Sequence, residues 1–273
     1  MNYKPLSKYL FDVLLVLAQI FNQLFSLKQN SGSSVLCYHS ISNDGWGFST
    51  SIEDFYQQIK YLSKNKKIVT IDEIINKKRG ENEISVTFDD GYKDFFTNAL
   101  PILKRHNIRG TLFVLGTPHE ANRNALGNNK ILLSTADIKS IKKAGWEIGF
   151  HTNTHTSLTS LTTEQLKKEI IDGKKNLEKK LGFKLRYFAY PMGEYSPEVV
   201  EIVKQAGFEA AFSTNGGEVS INNASDMHII DRVCLEGNLT LNQFKTLITP
   251  LGLLFNKSFI NLLKVKVALT NVL

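Results

Sequence analysis

The stretch Val86-Thr87-Phe88-Asp89-Asp90-Gly91-Tyr92 decides how the rest of this chain is read. An apolar, strand-like run ends in two adjacent carboxylates followed by a glycine. Side chains alternate between faces along a strand, so two neighbouring acids at a strand end are useful only if each has its own partner. The reading that satisfies both divides the task, one carboxylate on a metal ion and the other handling a proton. Such a metal needs further ligands, and His151-Thr152-Asn153-Thr154-His155 supplies two candidates.

Outward from the pair, short apolar runs alternate with helical patterns. Strands are predicted over 35–38, 68–70, 84–88, 111–115, 147–150, 187–190, 208–212 and 229–233. Helices are predicted over 52–64, with Ser51 as N-cap, and from 71, then over 92–106, 135–144, 163–181 and 196–206, the last with Pro197 in its first turn. This alternation predicts an α/β fold, one parallel barrel-like domain. His39, Asp89, Asp90, His151, Tyr190 to Met192, Asp231 and Arg232 then all fall at C-terminal strand ends. In a barrel those ends share the face where active sites sit.

Composition agrees with a folded domain: 42% of the 273 residues are apolar and 22% charged, enough for a core and too balanced for disorder. The net charge of +7 is scattered over helix faces rather than gathered into a basic stripe with aromatics, which argues against a nucleic-acid partner. Cys37 and Cys234 lie in apolar contexts and read as buried thiols, not as a disulfide framework. Three segments follow: an amphipathic N-terminal helix over 1–30, the barrel over 31–240, and an apolar, basic flank over 241–273. Leu10, Leu14, Leu17, Phe21, Leu24 and Phe25 form a helical stripe suited to a membrane surface or to packing on a barrel. Peripheral membrane contact through the flanks is expected, with an uncleaved anchor as the lesser reading.

His151 and His155 can face one way, either on a helix or in a tight turn after a strand. With Asp90 they make a two-histidine, one-carboxylate site for Zn2+ or another divalent ion, Ni, Co, Mn and Fe included. Asp89 is then the base that takes a proton from water activated by the metal. The motifs Thr87 to Tyr92, His151 to His155 with Leu158-Thr159, and Phe188-Ala189-Tyr190-Pro191-Met192-Gly193 together resemble the polysaccharide deacetylases with a NodB-homology domain. The resemblance spans about 35–235. It implies a distorted (β/α) barrel of about seven strands and hydrolysis of N-acetyl groups from an amino-sugar polymer. In that scheme the backbone N–H of Met192 helps hold the oxyanion. Apart from it, Tyr190 is a candidate substrate contact, and Trp46 either stacks on a sugar ring or is buried against the barrel.

Val35-Leu36-Cys37-Tyr38-His39-Ser40-Ile41, lying ahead of the acidic pair, is similar to the branch acting on poly-β-1,6-N-acetylglucosamine. That likeness makes His39 the acid that protonates the leaving amine, with His228 as its rival. The family often carries an arginine in the third motif, where this chain has Ala189. Arg232, or less favourably Arg186, is expected to hold Asp89 in its place. Chitin, peptidoglycan or a lipid-linked sugar are alternative substrates, and a non-catalytic glycan-binding module is a lower alternative. A cytoplasmic or membrane-associated location is favoured over a secreted one.

Overall fold

The computed structural model describes residues 13–20, 32–76, 80–127, 129–219, 221, 227–235, 237 and 239–270, the side chains of 262–270 excepted. Among these residues ten strands follow in chain order: β1 (Ser33–Tyr38), β2 (Ser40–Ile41), β3 (Ser49–Thr50), β4 (Lys67–Ile68), β5 (Glu83–Phe88), β6 (Thr111–Val114), β7 (Glu147–Phe150), β8 (Tyr187–Ala189), β9 (Ala210–Phe212) and β10 (Val233–Cys234). The main sheet runs β10-β1-β5-β6-β7-β8-β9, with every pairing parallel. β4 pairs with the lower part of β5, while β2 and β3 form a small ribbon of their own. Phe212 also bridges Ile230, so the run 230–234 meets β9 at its start and β1 at its end. The sheet is thereby curled into the distorted (β/α) barrel that the sequence predicts.

β1 and β5 are buried along their whole length and paired from Ser33–Glu83 to Tyr38–Phe88, as parallel strands covered on both faces should be. Helices close the outside. In Ile52–Asn65 the Ser51 hydroxyl accepts from the Asp54 amide, and Phe55, Ile59 and Leu62 face the core at helical spacing.

Two predicted elements differ in detail. The helix expected over 92–106 contains a π-helical turn, Phe95–Ala99, before Leu100–Arg105. Pro101 has no N–H to give to the carbonyl four residues back, and Leu100 bonds instead to Phe95, five back. The last strand is predicted over 229–233 but is paired over Val233–Cys234. Asp231 and Arg232 lie between the bridge to β9 and the ladder with β1, so the chain changes partner across them.

The C-terminal flank is part of the domain as far as its side chains are described. Phe244, Leu247, Ile248 and Leu253 join the main core, and Lys257 reaches Asp231 at 3.1 Å. In the helical stretch 13–20, Leu15 and Ala18 are buried while Val16, Leu17 and Ile20 are exposed. The stripe residues Leu10, Phe21, Leu24 and Phe25 lie outside the described residues. Among those described, no helix is long and apolar enough to cross a membrane.

Candidate active site

The adjacent acids are separated by a turn. The Asp89 amide still donates to Tyr38 on β1, so Asp89 continues the ladder. Gly91 N–H then donates to the carbonyl of Asp89 two residues back, with Asp90 between them at φ +69°. That is a γ-turn, a conformation uncommon for a residue with a Cβ. It lets both carboxylates serve one face where a regular strand would split them. Gly91 itself sits at φ +72°, and a Cβ there would stand 3.1 Å from Val114 Cγ1.

Asp89 is fully engaged. Arg232 donates from both terminal nitrogens to its two carboxylate oxygens, each at 2.7 Å. Arg232 is completely buried and also donates to Thr87 Oγ1 at 3.1 Å and to the Ser213 carbonyl at 3.2 Å. Burial pushes the Asp89 pKa up, but the Arg232 guanidinium more than offsets this and holds it at about 2. Arg186 lies elsewhere, bonded to Asp72 and Glu209. Of the two arginines weighed from sequence, Arg232 is the one in contact with Asp89.

Asp90 Oδ1 lies 3.3 Å from His151 Nε2 and 3.2 Å from His155 Nε2. His151 Nδ1 is 2.8 Å from the Ala189 carbonyl and must carry a proton to bond there. Burial lowers the His151 pKa, but Asp89 and Asp90 outweigh it and raise the pKa; in the neutral form that binds a metal, its Nε2 turns a lone pair toward a carboxylate oxygen. That oxygen is buried and has no hydrogen-bond partner among the described residues. Acceptors facing one another in a buried site call for a cation between them, and the donor set suits a divalent ion. The residues present therefore fit a metal. Burial is opposed at Asp90 by the two histidines, which in their protonated forms outweigh it and hold the carboxyl far below the usual range, a role that a bound cation would take over. His155 is lowered by burial to about 4, which keeps it neutral and available as a ligand.

The His-x-x-x-His pair lies in a turn after β7, not on a helix. Thr152 and His155 both have positive φ, +67° and +59°. The turn is tied from outside by Glu169, which sequence reasoning missed. Its carboxylate accepts from the amides of Asn153 and Thr154, each at 3.0 Å, and from the Thr154 hydroxyl at 2.8 Å. Glu169 belongs to a second π-helical turn, Lys168–Asp172, and nothing in the helical period of 163–181 marks it. Met192 has φ +57° in the turn Pro191–Gly193. Four of the six positive-φ non-glycine residues among those described thus lie in the three motifs; backbone strain of this kind, ~1–3 kcal/mol each, concentrates at functional sites.

The remaining candidates separate. His39 feels the charges of Asp90, Asp89, Arg232 and His151, so it shares the site; burial lowers its pKa and the two carboxylates work against that. His228 does not, since its Nε2 is 3.0 Å from the Phe208 carbonyl. Tyr190 is a correction. Its ring is in the core and its hydroxyl donates to the His228 carbonyl at 2.8 Å, so that side chain is not presented to a ligand. Trp46 is half-buried against Phe48 and Tyr92, with the Lys130 ammonium 5.2 Å from its ring centroid.

Residues 76–211 match the family model described as polysaccharide deacetylase. The chain is 28% identical over 222 residues to a poly-beta-1,6-N-acetyl-D-glucosamine N-deacetylase of Staphylococcus aureus, covering 76% of this chain and 75% of that one. Among solved structures, a polysaccharide deacetylase from Bacillus cereus superposes with a TM-score of 0.68 at 25% identity, over 81% of this chain and 70% of the other. IcaB from Ammonifex degensii superposes with a TM-score of 0.67 at 26% identity, over 81% and 97%.

Proposed function

The chain belongs to the polysaccharide deacetylase family, and from that premise we propose that it is a metal-dependent N-deacetylase of a poly-N-acetylglucosamine-like glycan. The observation that carries this reading is the convergence on one barrel face of an Arg232-clamped Asp89, the Asp90–His151–His155 cluster and His39. The relative named for poly-β-1,6-N-acetylglucosamine supports the choice of glycan.

In this reading Asp90, His151 and His155 hold a divalent ion, Zn2+ first among the candidates. When bound, such an ion polarises the amide carbonyl and makes water acidic enough to attack near neutral pH. Asp89, ionised at any ordinary pH, accepts the proton of the attacking water, and Arg232 fixes both its charge and its orientation. The Met192 N–H lies in the turn that would face the developing oxyanion. His39 gives a proton to the nitrogen as the carbon–nitrogen bond breaks, leaving acetate and a free amine. Its lowered pKa makes it a strong acid once protonated, though it is mostly neutral at pH 7.

The test is acetate release from β-1,6- and β-1,4-linked N-acetylglucosamine oligomers, with and without a chelator. Preferential release from the β-1,6 series, abolished by chelator and restored by zinc, is expected. Equal or faster release from the β-1,4 series overturns the choice of glycan, and release that survives complete metal removal overturns the metal-dependent chemistry.

A further inference from the structure

A second cluster of metal-binding side chains lies beside the one already described. The ligand atoms of Cys37, His39 and Cys234 are all within 4.8 Å of one another. Strand geometry explains why they meet. Cys37 and His39 are two residues apart at the end of β1 and share a face. Cys37 and Cys234 are direct register partners across the β1–β10 ladder, so their side chains also stand on one face. Both thiols are free, and the Cys37 thiol is buried. His39 Nδ1 is likewise buried and has no hydrogen-bond partner among the described residues.

Two thiols and an imidazole form a soft donor set, unlike the carboxylate-containing cluster next to it. With Zn–S near 2.3 Å and Zn–N near 2.0 Å, donors around a tetrahedral ion lie about 3.3–3.8 Å apart. The cluster would have to contract by at most about 1–1.5 Å to meet that requirement. Three protein donors leave a fourth position for water.

We propose that Cys37, His39 and Cys234 form a second, inhibitory site for a thiophilic d10 ion such as Zn2+, distinct from the Asp90–His151–His155 site. Binding one divalent ion releases one proton from each thiol, leaves the imidazole neutral and involves no redox change. Occupancy withdraws His39 from the substrate. It also removes the Cys37 thiol from Asp89 Oδ2, which it faces at 3.4 Å. Zinc at one equivalent then supports turnover, and excess zinc suppresses it. The inhibitory consequence, though not the site, rests on the reading of His39 as the acid.

The probe is Cd2+, titrated into metal-free full-length protein while the thiolate-to-metal ultraviolet charge-transfer band is followed. Wild-type protein should bind two ions, only one of which carries the band. Cys234→Ala should weaken the band-bearing site by at least ~10–100-fold, since loss of a direct ligand costs no less than loss of a supporting partner. The same variant should fill the other site normally, keep wild-type acetate release at one equivalent of zinc, and resist inhibition by excess zinc. Cys37→Ser gives a second variant of similar size for the metal-binding readout alone, with the same loss of the band expected, since Cys37 also faces Asp89. Absence of the band, or a band unchanged in both variants, overturns the site. A normal band with no inhibition by excess zinc overturns the regulatory role. A band in protein that never releases acetate leaves the site standing and contradicts the proposed function instead.

Discussion

At Asp89 the fold buries a carboxylate almost completely, and the Arg232 fork makes that tolerable by meeting both oxygens. Removing one partner of such a pair strands the other charge in the core. Arg232→Met is therefore expected to destabilise the protein by ~3–5 kcal/mol in denaturant unfolding, whereas a surface ion pair would cost under ~1 kcal/mol. The pair also has a pH signature. The Asp89 pKa is depressed to about 2 in the folded state, against about 3.9 in the unfolded chain. Its stabilisation is thus complete above about pH 4 and is lost as pH falls toward 2. Unfolding measured across that window should show a steeper acid loss in wild type than in Arg232→Met; parallel curves would contradict the assignment. His39 and His228 divide in the same way. His39→Ala should lower kcat by ~10²–10⁴-fold if it is the acid, with His228→Ala close to wild type; the reverse would move the role to His228.

At the scale of elements, the strands and helices legible in the sequence are those whose period and caps agree: β1, β5, β7 and the helix capped by Ser51 lie where the pattern puts them. What the pattern hides are local departures from period. Two π-helical turns lie inside runs that read as ordinary helix, because the buried residues still recur three or four apart, as Phe95, Ala99 and Leu103 do in one and Leu166, Ile170 and Gly173 in the other. A γ-turn at Asp90 cannot be seen in side-chain chemistry at all, and it is this turn that brings both acids to one face. Nor could sequence show that the Tyr190 ring would be taken up by the core, since an aromatic beside a motif reads equally well as sugar platform or as packing. Glu169 went unnoticed for the same reason, because a glutamate on a helix is usually a solvated one. Its hold on the turn from Asn153 to His155 predicts that Glu169→Ala weakens metal binding ~10–100-fold, as losing an orienting partner does. Chelator competition read beside the thermal midpoint separates this from unfolding; a folded variant with wild-type metal affinity would refute it.

For the whole molecule, the parallel barrel and its functional face followed from the order of elements, because C-terminal strand ends are brought together by topology whatever the loops do. The division of the chain did not follow so cleanly. The flank beginning at 241 places Phe244, Leu247 and Leu253 in the main core, so Phe244→Ala should cost ~3–5 kcal/mol, as deletion of a buried aromatic does. An unfolding midpoint unchanged from wild type would mean that the flank is dispensable to the barrel. The division of labour between Asp89 and Asp90 is the centre of the account, and one paired measurement tests it most directly: bound zinc and acetate release determined on the same preparations of Asp89→Asn and Asp90→Asn. The account predicts that Asp89→Asn keeps its zinc and releases no acetate, while Asp90→Asn loses both. Asp89→Asn protein that turns over at the wild-type rate, or Asp90→Asn protein that holds zinc as tightly as wild type, would contradict it.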